Sequence, residues 1–147
     1  MGCDLTNKDY KFFEYARRAA SKSTYKQFHI GAVLVYHGRI IGEGWNTNKT
    51  SPTQKHYNKN RKFNKSSKPI QHKNHAEIAA FRSVSYQVDQ ETDWSKVKIY
   101  VYRICNDGSK LSNMARPCPA CMAAIKEKGI KTIYYTSNDG YCKEWLY

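Results

Sequence analysis

Residues 97–136 read VKIYVYRICNDGSKLSNMARPCPACMAAIKEKGIKTIYYT, and the change of period inside this stretch decides the fold. Val97 to Ile104 is dense in β-branched and aromatic residues and predicts a strand. Cys105 to Arg116 is a loop with an Asn-Asp-Gly turn signal. Pro119 to Lys128 predicts a helix that opens on proline and is followed by Gly129, a residue suited to the left-handed turn after a helix end. Ile130 to Thr136 predicts a further strand. Strand, helix and strand in succession form a crossover, the connection that parallel neighbours require.

Working outward, His29 to Tyr36 and Arg39 to Trp45 alternate as strands around His37-Gly38, a two-residue hairpin turn. Thr6 to Asp9 resembles a capping box, and Phe12, Phe13, Ala16, Ala19 and Ala20 recur at helical spacing, so residues 7–22 predict an amphipathic helix. His75 to Val88 predicts a second helix. Asn138-Asp139-Gly140 turns the chain, and residues 141–147 can add a short last strand. A hairpin followed by a crossover implies an α/β domain with a mixed sheet of four to five strands covered by helices. Residues 1–147 read as one domain with a polar, basic insertion at 47–73.

The chain has 147 residues and a formal net charge of +13. Its 25 Leu, Ile, Val and Phe are few, but 12 Tyr and 3 Trp argue for a packed core rather than disorder. The charge points to an anionic partner. No run approaches the length of a membrane span, and the first ten residues hold no apolar signal core. Five cysteines, an odd number with two in a C-x-x-C pair, suit a metal site in a reducing compartment. The expectation is a cytoplasmic protein with no membrane partner.

Two short motifs carry chemistry. His75-Ala76-Glu77 opens one predicted helix, and Pro117-Cys118-Pro119-Ala120-Cys121 opens the next. A catalytic zinc takes three protein ligands and keeps one position for water. His75, Cys118 and Cys121 supply three, and thiolates are favoured at a helix start. Glu77 stands close enough to serve as a base rather than a ligand. Either motif alone is weak: HAE is commonly a surface histidine, and C-x-x-C can be a redox pair or two core thiols. Together, strand-loop-HxE-helix and strand-loop-PCxxC-helix make the H-x-E…P-C-x-x-C pattern of zinc nucleobase deaminases.

On these motifs the chain resembles the cytidine deaminase-like superfamily, which includes cytidine and deoxycytidylate deaminases, tRNA adenosine deaminases and the APOBEC/AID enzymes. Residues 31–46, GAVLVYHGRIIGEGWN, are similar to the first hairpin of the tRNA adenosine and deoxycytidylate branches. Residues 115–140 look like small bacteriophage-type deaminases. The resemblance implies a three-layer α/β/α sandwich around a mixed five-stranded sheet, Zn2+ on His75, Cys118 and Cys121, and proton shuttling by Glu77. It also implies that Asn46 hydrogen-bonds the substrate nucleoside, with Ala76 beside it. The chain ends without the C-terminal helices of larger relatives, so homo-oligomerisation stays open. Its loop before Pro117 is also longer than that of tRNA adenosine deaminases.

The substrate is read from charge. Between Lys49 and Lys73 stand eight Lys or Arg and no Asp or Glu, interleaved with His56, Tyr57, Phe63 and His72. Cations with aromatics suit a single strand, tracking phosphates and stacking bases. Lys55, Lys59, Arg61, Lys62 and Lys65 are the candidate contacts; the bland alternative is a solvated loop. His56 and His72 offer a second zinc pair, as some deoxycytidylate deaminases carry in this insertion. Asp139 and Tyr141 are candidates for reading a neighbouring base, and one of Tyr134 and Tyr135 is expected in the core. Phe28 and His29 can line the pocket mouth. Arg116 either reaches a substrate phosphate or is solvated. The function expected is zinc-dependent hydrolysis of cytosine to uracil in single-stranded nucleic acid, DNA ahead of RNA. Free deoxycytidylate and adenine in tRNA or DNA are the alternatives. A non-catalytic zinc module is disfavoured, since it has no use for Glu77.

Overall fold

The computed structural model describes residues 5–25, 28–60, 73–105, 114–138 and 140–146. Arg61, Lys62, Lys65, Phe63, His72 and Asp139 lie outside them, as does most of the loop before Met114.

The chain runs α1 (Asn7–Ala20), β1 (Phe28–Tyr36), β2 (Arg39–Trp45), α2 (Pro52–Asn58), α3 (Ala76–Ser83), α4 (Tyr86–Glu91), β3 (Lys98–Cys105), α5 (Pro119–Lys128), β4 (Thr132–Ser137) and β5 (Gly140–Trp145), with a short 3-10 turn at Trp94–Lys96. The strands form one five-stranded sheet in the order β2-β1-β3-β4-β5. β3 and β4 are parallel, joined through α5, and the other pairs are antiparallel. This is the mixed α/β sheet expected from the hairpin and the crossover.

Local chemistry sets each element. His37 and Gly38 both have positive φ, 50° and 77°, the geometry of a tight hairpin turn. Thr6 and Asp9 close a reciprocal capping box at the start of α1. The helix then lays Phe12, Phe13 and Ala16 on one face of the sheet against Val33, Val35, Tyr100, Tyr102 and Tyr134. The approach is close: a Cβ on Gly31 would lie 2.2 Å from the backbone of Ala16 and Ala20. On the other face, α3 and α5 cover Ala32, Leu34, Ile99, Val101, Ile133 and Tyr135. Here Gly44 lets α3 sit down on β2, since its Cβ would come 2.3 Å from the nitrogen of Ala80.

Two expectations need correction. The helix over 75–88 is two helices. Val84 turns extended (φ −72°, ψ 128°), and the Ser85 hydroxyl then caps α4 by accepting from Val88 N. Ser83 Oγ bonds Ala80 O and Glu43 N, so the serines offer the backbone a local alternative to continuing the helix. The stretch 47–73 is not featureless either, because Ser51 caps α2 with Pro52 at its first position. Isolated bridging of Thr50 to Lys73 brings the two ends of this insertion together. The remaining differences are end shifts, such as α1 closing at Ala20 rather than residue 22.

Candidate active site

His75 and Cys118 occupy the same local position, the residue just before a helix, with extended backbone angles. Pro119 presets the first turn of α5 and brings Cys121 round to the same side. The Nδ1 of His75 lies 3.6 Å from the Sγ of Cys118 and 3.4 Å from that of Cys121. The donor atoms of all three residues fall within 4.8 Å of one another. A nitrogen and a sulfur sharing a tetrahedral zinc stand about 3.6 Å apart, given the usual bond lengths. The donor set therefore fits Zn2+ in both chemistry and spacing.

Electrostatics agree with this arrangement. The Cys118 thiol is held at about 4 by its hydrogen bond with Cys121, against the opposing effect of burial, with His75 helping. A group so acidic is thiolate at neutral pH, the form that binds metal. Glu77, in the first turn of α3, is buried, and this desolvation pushes its carboxyl up to about 7. His75 opposes that rise, and Cys118 adds to it.

His75, Glu77 and Cys118 line a cavity of about 250 Å³. Residues 6–137 match the family described as the cytidine and deoxycytidylate deaminase zinc-binding region. The chain belongs to this deaminase family. Its fold is similar to that of a cytidine deaminase from Burkholderia pseudomallei, at 20% identity and TM-score 0.61, covering 96% of this chain and 93% of that one. It is also similar to the dCMP deaminase of cyanophage S-TIM5, solved in complex with dCMP and dUMP, at 20% identity and TM-score 0.54, covering 89% and 82%. A guanine deaminase from Bacillus subtilis aligns at 21% identity and TM-score 0.50, covering 90% and 65%. Among curated proteins no sequence matches. At these identities the likeness is one of fold.

The deaminase cavity gathers some of the sequence candidates and not others. Asn46, Ala76 and Arg116 line it together with His75, Glu77 and Cys118. Asn46 is heavily engaged: its Oδ1 accepts from Ile30 N (2.8 Å) and the Ser23 hydroxyl (2.7 Å), and its Nδ2 donates to Phe28 O. It ties the starts of β1 and the end of β2 to the segment after α1. Arg116 stands exposed at the cavity and makes a two-pronged pair with the Glu144 carboxylate at 3.0 and 2.9 Å. The pair holds Glu144 below the usual carboxylate range, and Glu144 also accepts from the Tyr135 hydroxyl. Tyr141 is carried to the opposite face of the sheet, its ring 4.4 Å from that of Phe13. Both Tyr134 and Tyr135 are buried, one on each face. Phe28 lines the cavity, whereas His29 does not. Lys55 and Lys59 are exposed on α2 and at its end, and His56 is exposed against Tyr57.

Several residues of the site escaped sequence reasoning. Gln54, fully buried on α2, accepts from His75 N at 3.1 Å and bonds Asn58, so α2 holds the ligand loop. The Ser51-Pro52 helix start was its signal. Tyr25, Thr47, Lys73, Asn74 and Arg103 also line the cavity. Arg103 was detectable, because it interrupts the apolar row Val97, Ile99, Val101 on one side of β3. No helix among the described residues is long and apolar enough to cross a membrane.

Proposed function

We propose that this deaminase converts cytosine to uracil by hydrolysis in single-stranded nucleic acid, DNA ahead of RNA. The observation that carries the hydrolytic part is the buried Glu77 lining the cavity beside the His75, Cys118 and Cys121 donors. Zinc held by these three residues would supply a water of lowered pKa, about 7 rather than about 15.7. Glu77 would take one proton from the attacking water and give it to N3 of the base. The water oxygen bonds to C4, the C4–N4 bond breaks, and the amino group leaves as ammonia with the second proton, delivered through Glu77. A carboxyl titrating near neutrality suits both halves of this exchange. Ala76, at the first position of α3, offers the base a backbone N–H with no intrahelical acceptor.

Support for a strand as substrate comes from the cations of the 47–73 insertion. Lys55 and Lys59 stand exposed on α2, and Lys73 lies at the cavity itself. Arg61, Lys62 and Lys65 belong to the same run. Free deoxycytidylate is the second reading, favoured by the modest size of the cavity. Mass spectrometry decides between them. A zinc-loaded sample is given a single-stranded oligonucleotide with one C and one A, beside deoxycytidylate, cytidine and adenosine. The expected result is a +1 Da change at C in the oligonucleotide. Conversion of the mononucleotide alone moves the activity to free nucleotides, and conversion of A overturns the cytosine reading.

A further inference from the structure

Among the described residues, two buried side-chain atoms lack any hydrogen-bond partner: Nε of Arg103, a donor, and Oδ1 of Asn74, an acceptor. Both residues line the active-site cavity. An unmet buried polar atom costs about 1–3 kcal/mol, and more where the group is charged. Two in one cavity, of opposite polarity, describe what the occupant must bring.

The surroundings hold Arg103 in place without neutralising it. It faces Ile30 across the β1–β3 ladder, and its guanidinium lies 4.4 Å from the centre of the Phe28 ring. The Phe28 ring is 4.9 Å from that of Tyr25, and Lys73 Nζ lies 5.2 Å from the Tyr25 ring centre. Lys73, Tyr25, Phe28 and Arg103 thus form a row along one wall, with a cation at each end and aromatic faces between. Arg116, the other arginine of the cavity, is committed to Glu144. Arg103 forms no ion pair with a carboxylate among the described residues, and Glu77 is the one carboxylate among the described residues that line the cavity.

We propose that Arg103 and Asn74 form the sugar-phosphate anchor of this active site, with Arg103 binding a phosphate ester and Asn74 a sugar hydroxyl or amino group of the same nucleotide. Inorganic phosphate satisfies the arginine and offers little to Asn74. A nucleoside satisfies Asn74 and leaves the guanidinium unmet. A nucleotide meets both. The phosphate can belong to a free mononucleotide or to a phosphodiester within a strand. The inference deepens the deaminase reading and rests on it for the location of the site.

The test is calorimetric binding to the zinc-loaded protein of each of four deoxynucleoside monophosphates and its parent deoxynucleoside. A five-nucleotide single strand containing one cytosine is titrated alongside, and turnover is followed separately. A charge-assisted hydrogen bond gives an advantage of about tenfold to about a hundredfold for the phosphate. In Arg103→Gln the ratio of nucleotide to nucleoside affinity is expected to collapse toward unity, with Arg103→Lys between. Equal affinity of nucleotide and nucleoside in the wild-type protein overturns the anchor whether or not the variants fold. So does a ratio that Arg103→Gln leaves intact. Cytosine conversion without a phosphate advantage sinks the anchor and leaves the deaminase reading standing. A phosphate advantage without cytosine conversion does the reverse. A pentanucleotide that retains the advantage assigns a backbone phosphate; one that loses it assigns a terminal phosphate.

Discussion

Among the described residues, three α-helices begin on a hydroxyl, and two begin on a side chain of the metal-binding group. Thr6, Ser51 and Ser85 cap α1, α2 and α4 by accepting from a backbone N–H one turn on. His75 and Cys118 hold the same position before α3 and α5, in the same extended conformation, yet neither makes a side-chain cap bond. A missing cap costs about 1 kcal/mol. The difference teaches where this fold places its chemistry. The cap residue is held by the first turn that follows it, so its side chain is aimed with little freedom. It also sits in the positive field of the helix start, which favours thiolate. Two such positions, brought together by the crossover, deliver the ligands from rigid elements rather than from loops.

The most severe way to break the comparison is to remove the metal. Chelation is expected to abolish turnover and to lower the unfolding free energy by about 4 kcal/mol at metal concentrations about a thousandfold above the dissociation constant. Denaturant melts with and without chelator measure this, and coincident curves would show that the two bare helix starts need no metal. Next in size, Glu77→Gln is expected to cut turnover about a thousandfold with zinc content unchanged. Metal analysis beside initial rates checks both halves, and full activity removes Glu77 from the chemistry.

A smaller effect concerns pH in the chelated protein. The Glu77 carboxyl is raised from 4.5 to about 7 by burial. At Glu77 the native state therefore binds more protons than the unfolded chain between these values, and this group's stabilisation is lost as pH rises through the window. The acidic Cys118 thiol acts in the opposite sense, so the Glu77 contribution is read as the difference between the wild-type and Glu77→Gln profiles, about 3 kcal/mol and complete above pH 7. Denaturant melts of both proteins from pH 4 to 8 measure it, and parallel profiles contradict the assigned burial.

The smallest effect sharpens the comparison directly. Cys118→Ser exchanges a ligand for a good cap. In chelated protein it is expected to stabilise by about 1 kcal/mol, and in zinc-loaded protein to destabilise. A change of the same sign in both states means that the cap position is not what the metal site gives up.

The short-range features were legible in the residues themselves. The hairpin was carried by His37-Gly38, the crossover by the switch from alternation to helical spacing, and the capping box by Thr6 and Asp9. The ligands were legible for the same reason, since a helix start is encoded within a few residues and aims its own cap. The break at Val84-Ser85 was missed because apolar spacing continues across it while the serine hydroxyls take the backbone. α2 was missed because its buried face is polar: Gln54 and Asn58 face inward and carry no hydrophobic period.

Partner choice across the sheet lay beyond local pattern. Arg116 and Arg103 are both cations near the cysteine motif in sequence. One meets Glu144, brought alongside by β5, and the other packs on the Phe28 ring with no carboxylate partner among the described residues. Tyr141 follows a turn that places it against α1, away from the cavity. Asn46 spends its amide on β1 and Ser23. Periodicity, caps and ligand spacing act over a few residues, so the sequence alone determined the hairpin, the crossover, the sheet class and the metal-binding group. Which polar groups are satisfied depends on pairing between distant segments, so only the tertiary structure decided which arginine is committed to a carboxylate.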